Sequence, residues 1–509
     1  MRVSGLLASS ALVSGVLAAP AFAITPAEVW QSWQDLSASY GQTVTTESVE
    51  QDGSSIVVTG LVLVQEDEGA RVEGRVDQIT FADNGDGTVG VTMSDSFPLT
   101  MTVTEESGDP VTVSVTVNQP GAEITASGDL ANTRYDFAMP ELTVALDRIE
   151  GVDADALDLV AQAKLTEVAG NYLFGGPEDK RTLDSSFTAA SMNLTLTGKD
   201  LDPSPAEGEE AGPTDMNFAL GMADLSGSTT GTILSPALMA DLQAAMAAGL
   251  AATASFAAGA TTYDMTIVDA TGTTTIAGTG ESTSVDFGLD STGIRYGTAA
   301  KVVDMTFSTP DLPFPEVKLS YAEAAMNLLV PLAQTEAPAD FAFLTKLVDL
   351  TVSDEVWGIF DPGAVLPRDP ATIVIDTKGK AKVTADLADP AAMSGGGAPG
   401  ELHALDITEL RAKMAGAELT GAGAFTFDNT DLVTFGGMPA PTGKLDLKLV
   451  GGNALMQKLV TLGFLSEEDM MGANMMLSMF ANPGPGEDEL TSVLEFKDKG
   501  FYANGQRLQ

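Results

Sequence analysis

Val111-Thr112-Val113-Ser114-Val115-Thr116-Val117 sets four valines at every second position, separated by hydroxyl side chains. Successive side chains of an extended strand point to opposite faces, so this run has one apolar face and one polar face. The same alternation recurs outward from it. Leu142-Val144-Leu146, Met192-Leu194-Leu196 and Phe218-Leu220-Met222 lie downstream, and Phe425-Phe427 and Leu445-Leu447-Leu449 repeat it near the C-terminus. Threonine is frequent on the polar side, as strands favour.

Turn-forming residues divide the runs. Asn84-Gly85-Asp86-Gly87 separates 76–81 from 88–93, and Asp498-Lys499-Gly500 separates 492–496 from 501–503. Lys378-Gly379-Lys380 is expected to do the same between 373–375 and 382–387. Glycine supplies the positive φ of tight turns, and short hairpins build antiparallel sheets. The expected fold is mainly β: large antiparallel sheets, rolled or flat, with a few packed α-helices.

Helices are expected over 26–40, 236–253, 321–333, 453–462 and 466–481. Thr25 and Pro26 open the first, and Ser466 followed by Glu467, Glu468 and Asp469 opens the last. Residues 199–215 and 391–400 have the composition of loops. One β-rich domain over 24–509 is expected, with a candidate division into lobes 24–235 and 236–509. No strict repeat is visible.

The N-terminus reads as a cleavable signal peptide over 1–23. Arg2 is the cationic end, Leu6 to Ala19 the apolar stretch, and Ala21-Phe22-Ala23 the small-x-small cleavage site. The stretch is shorter than the ~20 apolar residues of a spanning helix. The expected location is outside the cytoplasm, without a stable membrane anchor.

Composition narrows the chemistry. The chain has 509 residues, 71 acidic and 25 basic, for a net charge of −46. That field repels nucleic acid and anionic lipid headgroups. There is no cysteine, which removes disulfides, thiol catalysis and Cys-ligated metal. His403 is the single histidine, so no site needing two imidazoles can form. No cofactor and no metal are expected.

The short motifs resolve into plain structure. With Gly87 at the sixth position of a calcium loop, Ala82 and Met93 stand where carboxylates belong. Gly436 to Lys444 resembles a phosphate loop, but its spacing is wrong and Leu445 replaces the magnesium-binding hydroxyl. Neither the G-x-S-x-G nor the S-x-x-K signature of serine hydrolases occurs.

Two apolar pairings remain. Trp30 and Trp33, at i and i+3, are expected to anchor the first helix to the sheet. Met471, Met475 and Met479, at i, i+4 and i+8, form a stripe widened by Met470, Met476, Leu477 and Phe480. That stripe reads as a helix face packed on the sheet, or as the wall of a groove for an apolar ligand.

Several strings carry a family resemblance. They are Trp357-Gly358-Ile359-Phe360-Asp361-Pro362, Leu366-Pro367-Arg368-Asp369-Pro370-Ala371-Thr372, Gly421 to Asn429 and Ala503 to Leu508, with Thr25 to Trp30 and Gly85 to Val89 near the start. Together they resemble an exported alphaproteobacterial domain-of-unknown-function family, number twenty-one twenty-five, over nearly the whole chain after residue 23, and the resemblance implies a periplasmic location, with an extracellular one as the alternative. A looser likeness is to AsmA-like envelope proteins, and it implies long rolled sheets with an apolar groove. No catalytic residue follows from either resemblance. The expected function is a non-enzymatic envelope protein that binds a lipid or other apolar small molecule, with Met471, Met475 and Met479 as candidate ligand-binding residues. A structural or partner-binding protein with a filled core is one alternative, and a carboxylate-based hydrolase is another.

Overall fold

A computed structural model describes residues 24–39, 41–67, 69–104, 110–151, 158–177, 180–201, 214–234, 238, 242–385 and 399–509. The signal-peptide expectation and most of the two expected loops fall outside the described residues.

The chain enters through α1 (Pro26–Ser39), then β1 (Thr43–Thr45) and β2 (Ser48–Asp52), which lie end to end on one edge of β3 (Ser55–Asp67). Next comes β4 (Ala70–Asp83), where the sheet forks. The second half of β4 pairs with β5 (Val89–Met93) and its first half with β6 (Ser96–Val103). β6 pairs with β7 (Val111–Asn118) and β5 with β8 (Glu123–Asp129). Both tracks rejoin on β9 (Asn132–Glu150). Three long strands follow in order: β10 (Asp158–Gly175), β11 (Lys180–Leu201) and β12 (Thr214–Leu234).

The fork then repeats. After α2 (Leu242–Ala247), β13 (Ala252–Ala258) pairs with the second half of β12, and β14 (Thr261–Asp269) with the first half. β14 pairs with β15 (Gly272–Gly280), β13 pairs with β16 (Ser282–Asp290), and both tracks rejoin on β17 (Gly293–Ser308). The segments β4–β9 and β12–β17 therefore share one strand topology, a repeat of architecture that the amino-acid sequence does not display.

From β17 the sheet meanders through β18 (Val317–Val330) and β19 (Ala339–Val352). α3 (Asp354–Phe360) leads into β20 (Ala371–Val383), β21 (Gly400–Met414), β22 (Ala417–Asp428) and β23 (Ala440–Val450). The helical hairpin α4 (Gly452–Thr461) and α5 (Glu467–Phe480) precedes β24 (Asn482–Pro483), β25 (Glu489–Lys497), β26 (Gly500–Ala503) and β27 (Gln506–Arg507). β25 returns to pair with β23. Among the described residues 27 strands form one antiparallel sheet. Among the described residues no helix is long and apolar enough to cross a membrane.

Three expectations change. Residues 321–333 fall mostly in strand β18: Ala, Glu, Met and Leu favour a helix, but β17 and β19 hydrogen-bond to this segment from both sides and override that preference. Lys378-Gly379-Lys380 lies inside β20 and turns nothing. The helix expected over 236–253 is described only as α2, and strand β13 has begun by Ala252. By contrast, both expected helix starts carry capping boxes. The Glu28 amide donates to Thr25 Oγ1 while the Thr25 amide donates to Glu28, and Ser466 and Asp469 exchange the same pair of bonds.

A line of backbone irregularities crosses the sheet. Gly60, Glu167, Asp224, Val302 and Asp349 all have positive φ, near +50° to +60°. The pairings on either side of each keep their register, except that β19 shifts by one residue against β20 between Leu347 and Leu350, around Asp349. Each left-handed residue reverses the alternation, so the apolar face passes from Leu165 to Val168 and from Met222 to Leu225 in three-residue steps. Val168, Ala189, Leu225 and Ala258 are buried along this line with Leu165, Met192 and Met222 against them. The sheet thus keeps a single apolar face on both sides of the line.

Candidate apolar binding site

α1 covers the start of that face. Val29 and Trp30 are buried against Val58, Ile79, Phe81, Val89 and Val91. Trp33 meets Phe81 edge-on with ring centroids 5.2 Å apart, and Trp30 lies 5.8 Å from the same ring. Tyr135 stacks on Tyr172 at 4.6 Å and donates its hydroxyl to Ser32 Oγ at 3.2 Å. Burial raises the Tyr135 pKa above the usual phenol range, with the Ser32 contact opposing it. Trp30 and Trp33 are therefore the anchors their spacing implied.

Between α1 and the sheet remains a cavity of about 260 Å³. Trp30 and Trp33 form its roof, and Leu61, Leu63, Val76, Ile79, Phe97 and Leu99 its floor. Ser37 is the only polar side chain in the lining, besides the apolar Val44, Gly74 and Met93. The volume falls below the ~300–1,000 Å³ typical of drug-sized ligand sites. It suits one apolar arm of a larger molecule.

The cavity does not end at α1. Phe97 stands opposite Val117, then Val144, Ala163, Leu194 and Leu220. From Leu220 the row continues through Tyr263, Gly278, Met305 and Leu319 to Val352. This apolar trough crosses ten inter-strand spacings, roughly 48 Å at about 4.8 Å each. The three buried clusters all lie between Ile24 and Leu289. Past the line of irregularities, Phe287, Met326 and Phe343 on the same face stay 37–40 % exposed. Burial raises the pKa of Tyr263 within the row, with Tyr321 nearby adding to the shift.

A larger depression, about 740 Å³, includes Thr262, Thr279, Asp304, Ser320 and Thr351. Register places these five together on the face opposite Tyr263, Met305 and Leu319. Ser320 and Thr351 hydroxyls bond each other at 2.6 Å. Tyr263, Gly278, Met305, Leu319 and Val352 of the row also border this open hollow, whose lining is mixed, so the smaller apolar cavity is the better candidate site. Among the described residues no group of three or more Asp, Glu or His could hold a metal ion. The Asn84–Thr88 turn is closed by its own side chains, with Asp86 accepting from Thr88 and Asn84 donating to it.

Met471, Met475 and Met479 stand elsewhere. They share one face of α5, are 68 %, 70 % and 57 % exposed, and line neither the cavity nor the row. Met470, Ala473, Leu477 and Phe480 are the better-covered residues of α5. The helix is apolar on two sides, so the spacing of the methionines alone could not tell which side meets the sheet. Sequence reasoning found Trp30 and Trp33 but missed the trough, because no run of sequence shows which strands become neighbours.

Fold and site define a class: single-sheet antiparallel β-proteins whose apolar face is roofed by a helix over only part of its length. The chain belongs to the DUF2125 family, described as an uncharacterized protein conserved in bacteria, whose model matches residues 237–505. That match holds the later half of the trough, while the α1 cavity precedes it. No curated protein matches the chain. Among solved structures the chain is similar to BauA, the ferric preacinetobactin receptor from Acinetobacter baumannii, at 8 % identity over 91 % of this chain and 76 % of that one. The TM-score of 0.17 is too low to carry an argument.

Proposed function

We propose that the protein is exported to the periplasm with loss of residues 1–23, and there carries an amphiphile by its apolar chain without catalysing a reaction. The single observation behind this reading is the unbroken apolar row from Phe97 to Val352, which continues out of the α1 cavity and has little cover of its own. A sheet's apolar face needs a second layer. Each methylene taken from water contributes about 0.8 kcal/mol, so one acyl chain lying in the row supplies a useful affinity. A bilayer's hydrocarbon core is ~30 Å thick, so one chain reaches about 15 Å. The trough is about three times that length, which favours sliding over a fit to one chain length. The net charge of −46 favours a neutral or zwitterionic headgroup. Export is supported by Ala21-Phe22-Ala23 and the apolar stretch before it.

Titration with a fluorescent-chain phosphatidylcholine tests the reading. Leu194→Glu should weaken binding about tenfold or more, because binding would bury the new charge. Thr195→Glu, on the opposite face, should leave binding unchanged, with circular dichroism confirming that both variants fold. Equal affinity of Leu194→Glu and the parent protein would contradict the proposal.

A further inference from the structure

We infer that one end of the sheet is a docking face for a lipid surface with neutral headgroups, and that the trough opens onto it. The second clause rests on the amphiphile-carrying function proposed above; the docking face itself does not. Three segments distant in sequence meet at this end. β19 delivers α3, where Ile359 is 66 % and Phe360 39 % exposed. The turn from β21 to β22 carries Met414, 59 % exposed. β23 delivers the α4–α5 hairpin, where Met471, Met475, Met476 and Met479 are 57–70 % exposed.

Their proximity is built into the fold. Pro367, in the loop after α3, packs so closely on Gly416 in the β21–β22 turn that a Cβ there would stand 3.0 Å from its Cγ. The Gly416 carbonyl in turn lies against Gly451, where α4 begins. Asp488 accepts from the Asn453 and Ala454 amides at 3.2 and 2.9 Å, tying α4 to the start of β25. Asn504 Nδ2 donates to the Phe480 carbonyl at 2.9 Å and fixes the end of α5. The outward methionines are not used by this framework.

Side-chain chemistry and charge select the occupant. Methionine is unbranched and adapts to a partner without fixed shape. Exposed apolar side chains of this kind can bury at the headgroup–acyl boundary of a bilayer, where binding grows with the apolar area taken from water. Glu467, Glu468 and Asp469 open α5 and Asp354 and Glu355 open α3, against one basic residue in the three helices, Lys458 in the last turn of α4. Anionic headgroups are therefore repelled and neutral ones tolerated. Val352, the last residue of the apolar row, precedes the Ser353 cap of α3 by one position, so the row ends at this face. A second exposed apolar tip, Leu432, Val433 and Met438, lies at the opposite ends of β22 and β23 and serves as an internal comparison.

Flotation of the exported chain with phosphatidylcholine vesicles is the test. The parent protein should float, and it should float less when phosphatidylglycerol is added to the vesicles. The double variant Met475→Glu, Met479→Glu should lower the bound fraction at least fivefold while keeping phosphatidylcholine-probe binding in solution. Val433→Glu should float as the parent does. Leu194→Glu should float while losing probe binding, so failure of docking and failure of the carrier function are read separately. Absence of flotation, flotation of the double variant at the parent level, or detachment by Val433→Glu would overturn the inference. Methionine-dependent self-association in sedimentation would assign the face to a second copy of the chain and overturn it equally.

Discussion

The ring of Phe341 on β19 lies across Gly379 on β20, so that a Cβ on the glycine would stand 2.6 Å from Cε1 and 2.7 Å from Cζ. The Ala404 carbonyl closes the same space from β21. Gly379 therefore makes room for a cross-strand aromatic contact in mid-strand.

Gly379→Ala should destabilise the protein by about 1–3 kcal/mol, the usual range for overpacking a filled site. Urea unfolding checks it. Lys378→Ala, one position away, should shift the midpoint much less.

Asp361 is fully buried, and its two carboxylate oxygens accept from the Val365 and Leu366 amides at 2.9 and 2.8 Å. The loop after α3 is thereby clamped, with Arg368 stacked over Trp357 at 6.0 Å. Asp361→Ala leaves two amides without partners. It should cost about 2–6 kcal/mol, read as a lower urea midpoint, at about 1–3 kcal/mol for each unsatisfied buried group.

Acid should act on the β16–β17 turn. Asp290 accepts from the Thr292 hydroxyl and amide and from Arg295, and these bonds hold its pKa down at about 2. The unfolded value is ~3.9. A depressed carboxyl stabilises the fold above its unfolded pKa and loses that contribution as pH falls through the folded one. The melting-temperature gap between the parent and Asp290→Asn should therefore be full above about pH 4 and close toward about pH 2. A gap that widens on acidification would contradict this assignment.

Much of the fold is legible in sequence because a one-faced strand writes itself as alternation. Val111–Val117 and Leu445–Leu449 became β7 and β23. The Asn84–Gly87 and Asp498–Gly500 turns stand where expected: Gly85 and Gly87 take the positive φ of the first, while in the second Asp498 and Lys499 take it rather than the glycine. What failed was decided by distant neighbours. Gly379 looks like a turn until Phe341 is placed across it, and 321–333 looks like a helix until β17 and β19 flank it. The line through Glu167, Asp224, Val302 and Asp349 has no signature, because none of these residues is the glycine that positive φ favours. Only Gly60 on that line could have announced it. The site was half legible: two tryptophans at helical spacing mark α1 as an anchor, but the floor comes from strands whose order sequence does not state.

Trp33→Ala should enlarge the α1 cavity and cost about 3–5 kcal/mol. It should loosen the roof and weaken phosphatidylcholine-probe binding. Trp33→Phe should restore most of the stability and the binding, which separates the roofing role from a general loss of structure.

The most direct measurement uses the distribution of the three tryptophans. Trp30 and Trp33 line the cavity, whereas Trp357 sits on α3. In a Trp357→Phe protein all indole emission comes from the cavity roof. Titration with a monomeric phosphatidylcholine brominated along its acyl chain should then quench that emission saturably, because the bromines come into contact with the two rings. Emission that stays unchanged while the lipid is in excess would show that no acyl chain enters beneath α1, and would contradict the central claim.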